Sequence, residues 1–221
     1  MTRQLAFDLP GNEALTRADF FVAPSNARAL QAVESWQDWP GAKLLLIGPE
    51  GAGKTHLANV WAELSGAVIL SAEALGEVDI AALAGRPVAV EDAHLIGKAE
   101  SALFHLHNVV TTGGALLLTA PTPPRDWGLQ LADLQSRVQA ASVARLEAPD
   151  DGLLSVVLIK LFADRQVAVP PNLIPYLISR MPRSIGAARA LVAALDGRAL
   201  ALGRPVTRAL AGEVLDRLEN G

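Results

Sequence analysis

The residues with the clearest chemistry are 48–55, which read Gly-Pro-Glu-Gly-Ala-Gly-Lys-Thr and match the phosphate-binding pattern G-x-x-x-x-G-K-S/T in full. Glycines allow such a loop to curl until successive main-chain N–H groups point at phosphate oxygens, and the following helix adds its positive N-terminal dipole. Lys54 is expected to reach the outer phosphates, and Thr55 to bind Mg²⁺. The motif predicts a nucleotide site formed by consecutive residues: Gly48, Pro49, Glu50, Gly51, Ala52, Gly53, Lys54, Thr55 and His56.

Two adjacent carboxylates, Glu91 and Asp92, follow the apolar run at residues 87–90. A strand that ends in acids is where phosphate-loop proteins hold Mg²⁺ through water and orient an attacking water molecule. We therefore expect Glu91 to serve the metal, together with Thr55, and Asp92 to serve the water. The alternative is a charged strand end that simply faces solvent.

Short aliphatic runs and helix-length segments alternate along the first two thirds of the chain. The runs, read as buried parallel strands, are 43–47, 67–70, 87–90, 115–119 and 143–146. The segments between them, read as helices, are 26–36, 54–64, 99–110 and 129–138. This alternation predicts an α/β fold with a five-stranded parallel sheet, whose strand ends bring the loop and the acids together.

The pattern changes to purely helical after Pro149, with helix starts expected at Asp150, Pro171, Arg183 and Thr207. We expect three parts in the chain: an N-terminal tail at residues 1–14, an α/β nucleotide-binding domain at 15–149, and a small all-α lid domain at 150–221.

Composition excludes several classes of function. The 221 residues are 51% hydrophobic, and 19 basic against 23 acidic residues give a net charge of −4, so no global positive field attracts nucleic acid. The absence of cysteine excludes disulfides, zinc–thiolate sites and thiol nucleophiles. Apolar runs are too short to cross a membrane, and the N-terminus lacks a secretory pattern, so a cytoplasmic protein is expected.

With the phosphate loop, the acid-ended strand and the helical region in this order, the chain resembles the AAA+ ATPases of the DnaA initiator family over residues 20–218. The resemblance implies ADP or ATP with Mg²⁺ as ligands and an adenine contact by Val22 and Asn26. It also implies that Arg183 senses nucleotide within its own chain. Arg137 resembles the arginine finger, a catalytic group that reaches the γ-phosphate of a neighbouring subunit and would require a homo-oligomer or a related partner.

Two positions depart from the family pattern. Pro121 stands where DnaA proteins carry an aspartate that senses the γ-phosphate, although Thr119 or Thr122 could substitute. Glu91 stands where many relatives have aspartate, and its longer side chain alters the geometry offered to Mg²⁺. We therefore expect the chain's own ATP hydrolysis to be slow or absent.

The N-terminal hexapeptide Gln4-Leu5-Ala6-Phe7-Asp8-Leu9 resembles a sliding-clamp-binding motif. An extended segment of this kind would place Gln4 in a polar site and Leu5, Phe7 and Leu9 in an apolar groove of the clamp. The alternative is that the tail packs as an edge strand on its own domain. At the other end, the chain stops at Gly221 after the last expected helix, so we expect no helix-turn-helix domain and no sequence-specific DNA binding.

Together these features resemble the DnaA-homologous regulators that bind adenine nucleotide and the DNA polymerase sliding clamp and promote hydrolysis of DnaA-bound ATP. Such a protein acts as a negative regulator of replication initiation, with DnaA as its second partner and no membrane contact. A helicase loader of the DnaC type is the main alternative, and single-stranded DNA binding would favour it. A free-standing phosphate-loop kinase or NTPase is a third, which turnover of a small acceptor would favour.

Overall fold

The computed structural model describes residues 15–110 and 113–219. The N-terminal hexapeptide, with Gln4, Leu5, Phe7 and Leu9, lies outside the described residues. Among the described helices, none is both long enough and apolar enough to cross a membrane.

The sheet has five strands in the order β2-β3-β4-β1-β5, and all neighbouring pairs are parallel. The strands are β1 Lys43–Ile47, β2 Val68–Ser71, β3 Val88–Glu91, β4 Leu116–Ala120 and β5 Ser142–Arg145. The predicted five-stranded parallel sheet is confirmed. Strands β2 and β3 continue to the polar residues Ser71 and Glu91, because main-chain pairing does not depend on side-chain polarity.

Helices cover both faces of this sheet. They are α1 Ala27–Glu34, α2 Lys54–Ser65, α3 Glu100–Val109 and α4 Ala132–Gln139. Successive side chains of β1 alternate between the faces: Leu44 and Leu46 pack with α1 and α2, whereas Leu45 and Ile47 pack with α3 and α4. The sequence therefore reads as a continuous apolar run because both faces are buried.

Helix α4 begins later than its apolar pattern predicts. The Glu100 carboxylate accepts hydrogen bonds from the main-chain N–H groups of Gln130, at 3.0 Å, and of Leu131, at 2.7 Å. They supply acceptors for two main-chain N–H groups at the start of α4, whose N-cap residue Leu131 is extended, with φ −82° and ψ +101°.

The C-terminal helical bundle consists of α5 Asp151–Asp164, α6 Leu173–Arg180, α7 Ile185–Leu202 and α8 Arg208–Glu219. It has its own hydrophobic core, formed by residues between Leu154 and Leu215. Side-chain caps set two of the starts: Asp150 accepts a hydrogen bond from Leu153 N at 2.7 Å, and Ser184 accepts one from Ala187 N at 3.2 Å. The predicted helical region after the α/β part is confirmed.

Candidate phosphate-binding site

The phosphate loop joins the end of β1, an inner strand of the sheet, to the start of α2. Gly48 packs so closely against the end of β5 that a Cβ there would lie 2.7 Å from both Cβ and O of Leu146. Gly51 and Gly53 have φ values of +71° and +105°, which favour glycine. Gly53 is also the N-cap of α2, so the loop leads directly into the N-terminal end of a helix, where anions bind.

Lys54 lies folded over this loop and is only 9% exposed. Its Nζ donates hydrogen bonds to the carbonyl oxygens of Gly48, at 2.7 Å, and Pro49, at 3.0 Å. Burial lowers the pKa of Lys54, although the nearby charges of Asp92, Glu50 and Glu91 act in the opposite direction. The loop therefore holds an ammonium group within a short distance of the expected phosphate position.

The two residues predicted for Mg²⁺, Thr55 and Glu91, come together at this end of the sheet. Burial raises the pKa of Glu91 above its ordinary value, as does the adjacent Asp92, while a hydrogen bond with Thr55 and the charge of Lys54 lower it. Glu91 Oε1 is buried without a hydrogen-bond partner among the described residues. An unsatisfied carboxylate oxygen beside a threonine hydroxyl fits a Mg²⁺ ion, which prefers oxygen ligands.

Asp92 has an unusual main-chain conformation, with φ +51° and ψ +44°, in the left-handed region that few non-glycine residues adopt. Its N–H donates a hydrogen bond to Thr119 Oγ1 at 3.1 Å. The main-chain pairing of β3 with β4 ends at Val90 and Leu118. Just beyond this point, the buried Thr119 hydroxyl provides a hydrogen bond between the two segments. Sequence reasoning considered Thr119 only as a phosphate sensor. In the structure, the Thr119 hydroxyl holds the main chain of Asp92 in place by accepting its N–H hydrogen bond.

The segment expected to contact adenine is held mainly by its own hydrogen bonds. Asn26 Oδ1 accepts a hydrogen bond from Ala23 N at 2.8 Å, and its Nδ2 donates one to Phe21 O at 2.9 Å. Asn26 is buried, whereas Val22 is 56% exposed. Asn26 therefore shapes this turn, and only Val22 presents a surface to a ligand. The adenine contact expected of Val22 and Asn26 stays a prediction.

Two other residues assigned to the nucleotide have protein partners. His56 Nε2 lies 2.9 Å from Thr16 O, and its ring contacts the edge of Phe20. Arg183 forms an ion pair with Asp151 at 2.8 Å, with its side chain 57% exposed. Arg183 would have to leave Asp151 in order to bind a phosphate. The predicted roles of both side chains at the nucleotide stay predictions.

Arg137 lies near the start of β1, whereas its own phosphate loop follows the end of that strand. Its guanidinium donates a hydrogen bond to Asn108 Oδ1 at 2.8 Å and stacks over the Phe104 ring, 4.9 Å from the centroid. Burial lowers the pKa of Lys43, the first residue of β1, and the positive charge of Arg137 lowers it further. The loop begins after the other end of that strand, about 13 Å away along the chain. In this arrangement Arg137 is exposed and cannot serve its own nucleotide site.

A five-stranded parallel sheet in this order, with a phosphate loop after β1 and a C-terminal helical bundle, defines an AAA+ P-loop fold. Solved structures agree: domain III of DnaA from Thermotoga maritima superposes with a TM-score of 0.79 at 22% identity, covering 93% of this chain and 97% of that one. AMPPCP-bound DnaA from Aquifex aeolicus gives a TM-score of 0.70 at 16% identity, covering 82% and 65%.

Sequence comparison identifies the same relatives. No protein-family model matches. The replication initiator DnaA of Sphingopyxis alaskensis is 31% identical over 197 residues, which is 75% of this chain and 43% of the relative. DnaA of Caulobacter vibrioides is 27% identical, covering 91% and 47%. The chain spans less than half the length of these relatives. It has the AAA+ fold of DnaA domain III and is related to DnaA in sequence.

Proposed function

We propose that this chain is an Hda-like AAA+ regulator, which binds ADP or ATP with Mg²⁺ and promotes hydrolysis of ATP bound to DnaA, so that replication initiation is restrained. The observation that carries this proposal is the placement of Arg137. It is an exposed, well-held arginine near the start of β1, at the opposite end of that strand from its own phosphate loop, in a chain related to DnaA. A cation in this place can complete the site of a neighbouring AAA+ subunit.

The chain's own loop would hold the nucleotide. Lys54 would exchange the carbonyls of Gly48 and Pro49 for phosphate oxygens, and Thr55 and Glu91 would hold Mg²⁺. The ion would neutralise charge on the phosphates. A proline at position 121 offers no polar side chain to the γ-phosphate, which supports slow or absent hydrolysis by the chain itself.

The effect on DnaA follows from the chemistry of phosphoryl transfer. Negative charge develops on the transferred phosphoryl group, and a positioned guanidinium from another subunit neutralises it, which accelerates hydrolysis by roughly 10³- to 10⁵-fold in other NTPases. Asn108 and Phe104 hold the Arg137 guanidinium in place, so little ordering remains to be done when the subunits meet.

The test is the rate of ATP hydrolysis by DnaA in the presence of this protein and clamp-loaded DNA. We expect Arg137→Ala to reduce the stimulated rate to that of DnaA alone while ADP binding by the variant is unchanged. Arg125→Ala is the matched control, because the Arg125 side chain is 76% exposed and lies on another segment. A stimulated rate that is the same in both variants would contradict the proposal.

The clamp part of the proposal depends on the N-terminal hexapeptide. A pull-down with purified sliding clamp should recover the parent chain, and Gln4→Ala or deletion of residues 1–10 should abolish recovery without changing ADP affinity. Undiminished clamp binding by the deletion variant would show that the hexapeptide is not the contact.

A further inference from the structure

The first residue of helix α7 is hydrogen-bonded to the phosphate loop. Ile185 N donates to Gly51 O at 2.8 Å, which joins the C-terminal helical bundle to the loop through the main chain. In an isolated helix this N–H would have no acceptor, because the first four amides of a helix lack intrahelical partners. The positive end of the α7 dipole also faces the Gly51 carbonyl.

Close packing supports the same contact. Gly51 has φ +71°, and a Cβ at this position would overlap the Ser184 hydroxyl and lie 2.9 Å from Ser184 Cβ and 3.3 Å from Gly186 N. The side chain of Ser184 is itself fixed, since it caps α7 by accepting from Ala187 N. Gly51 is therefore required by the approach of α7 as well as by the curl of the loop.

The peptide group between Gly51 and Ala52 is held at both ends. Its oxygen accepts from Ile185 N, and its N–H donates to Pro49 O at 3.2 Å. Pro49 O also accepts from Lys54 Nζ at 3.0 Å. A continuous set of hydrogen bonds thus connects the start of α7 to the lysine expected to contact phosphate.

We infer that Ile185 is a positioning residue: by donating to Gly51 O, its main-chain N–H holds the Gly51–Ala52 peptide in the orientation in which the phosphate loop binds phosphate. The inference rests on the nucleotide binding proposed above. When Lys54 moves to a phosphate, Pro49 O keeps its hydrogen bond from Ala52 N, so the orientation of this peptide depends on Ala52 N and on Ile185 N. By linkage, bound nucleotide strengthens the Ile185–Gly51 hydrogen bond to the same extent that this bond favours nucleotide.

Proline at position 185 removes the N–H donor and also replaces the isoleucine side chain, whose Cδ1 lies 3.7 Å from the position of a Cβ at Gly53. The first helical position tolerates proline well, and Ser184 before it is extended, with φ −148° and ψ +133°, as a residue preceding proline should be. Ile185→Ala is the matched control, because it shortens the side chain and keeps the N–H. We expect Ile185→Pro to bind ADP about fivefold more weakly than Ile185→Ala in calorimetry, the effect of one net hydrogen bond. Equal affinities in the two variants would overturn the inference.

Hydrogen exchange of the Ile185 amide in the parent chain tests the contact without any substitution. Because no intrahelical acceptor exists for this N–H, its protection reports on Gly51 O alone. We expect the amide to be protected and the protection to increase when ADP is added. An unprotected amide, or one indifferent to bound ADP, would overturn the inference.

These measurements separate the inference from the proposed function. A parent chain that binds ADP, with equal affinities in the two Ile185 variants, leaves nucleotide binding intact and removes the positioning role. If the parent chain fails to bind ADP, the proposed nucleotide binding is wrong, and so is the positioning role of Ile185 in it. Hydrogen exchange of the Ile185 amide would still show whether its contact with Gly51 O exists.

Discussion

Lys54 is the side chain on which the proposed nucleotide binding depends most directly, because its buried ammonium is the point charge closest to the loop carbonyls. We expect Lys54→Ala to lower the affinity for both ADP and ATP by about 100-fold, since it deletes a charge-assisted hydrogen bond to phosphate. The fold should persist, because burial already disfavours the charged form of this lysine. Calorimetry with both nucleotides measures the effect.

Lys98→Ala is the control for that substitution, since Lys98 is an exposed lysine outside the phosphate loop. It should bind both nucleotides as the parent chain does. Parent-like affinity in Lys54→Ala would mean that the phosphate loop is not the nucleotide site.

Among the helices, strands and loops, two glycines show how the packing around a position determines whether it tolerates a larger side chain. Gly48→Ala places a Cβ 2.7 Å from Leu146, so we expect the phosphate loop and β5 to be forced apart at a cost of about 1–3 kcal/mol. Gly197→Ala introduces a Cβ in the middle of α7 that meets nothing within 4 Å. It should stabilise the chain by about 0.5–1 kcal/mol, because alanine has the higher helix propensity.

Urea unfolding of the two alanine variants gives the free energies of unfolding to compare. The same chemical change should thus have opposite signs in a loop that is packed against a strand and in an open helix surface. A loss of stability in Gly197→Ala comparable to that in Gly48→Ala would contradict this packing argument.

At the scale of the whole molecule, His107 links stability to pH. Burial, with the neighbouring charges of Lys43 and Arg137, lowers the pKa of His107 from 6.5 to about 4. The folded chain therefore binds this proton more weakly than the unfolded chain, so stability present above pH 6.5 is lost as the pH falls towards about 4. We expect the free energy of unfolding to fall less steeply in this range for His107→Gln than for the parent chain.

The matched control for the pH dependence is His105→Gln, because His105 is exposed two residues away on the same helix. Urea unfolding at a series of pH values should give His105→Gln the profile of the parent chain. Coincident profiles for all three proteins would show that His107 does not contribute to acid destabilisation.

The residue pattern predicted the α/β architecture, the strand positions to within one residue, and the phosphate loop. Aliphatic runs of strand length that alternate with helix-length segments are typical of a parallel sheet buried on both faces, and the loop motif is contiguous, so its geometry is local. Short-range capping chemistry similarly set the starts of α5 and α7, through Asp150 and Ser184.

Contacts between side chains that are distant in sequence follow from the tertiary structure and not from local residue patterns. Thr119 fixes Asp92 across 27 positions of sequence, Asn108 holds Arg137 across 29, and Ile185 reaches Gly51 from the far helical bundle. Each of these contacts joins two elements whose relative placement depends on crossover connections and on packing of the cores between them. Local periodicity carries no information about such distances, which is why residue patterns predicted the site's components but not the hydrogen bonds that connect them.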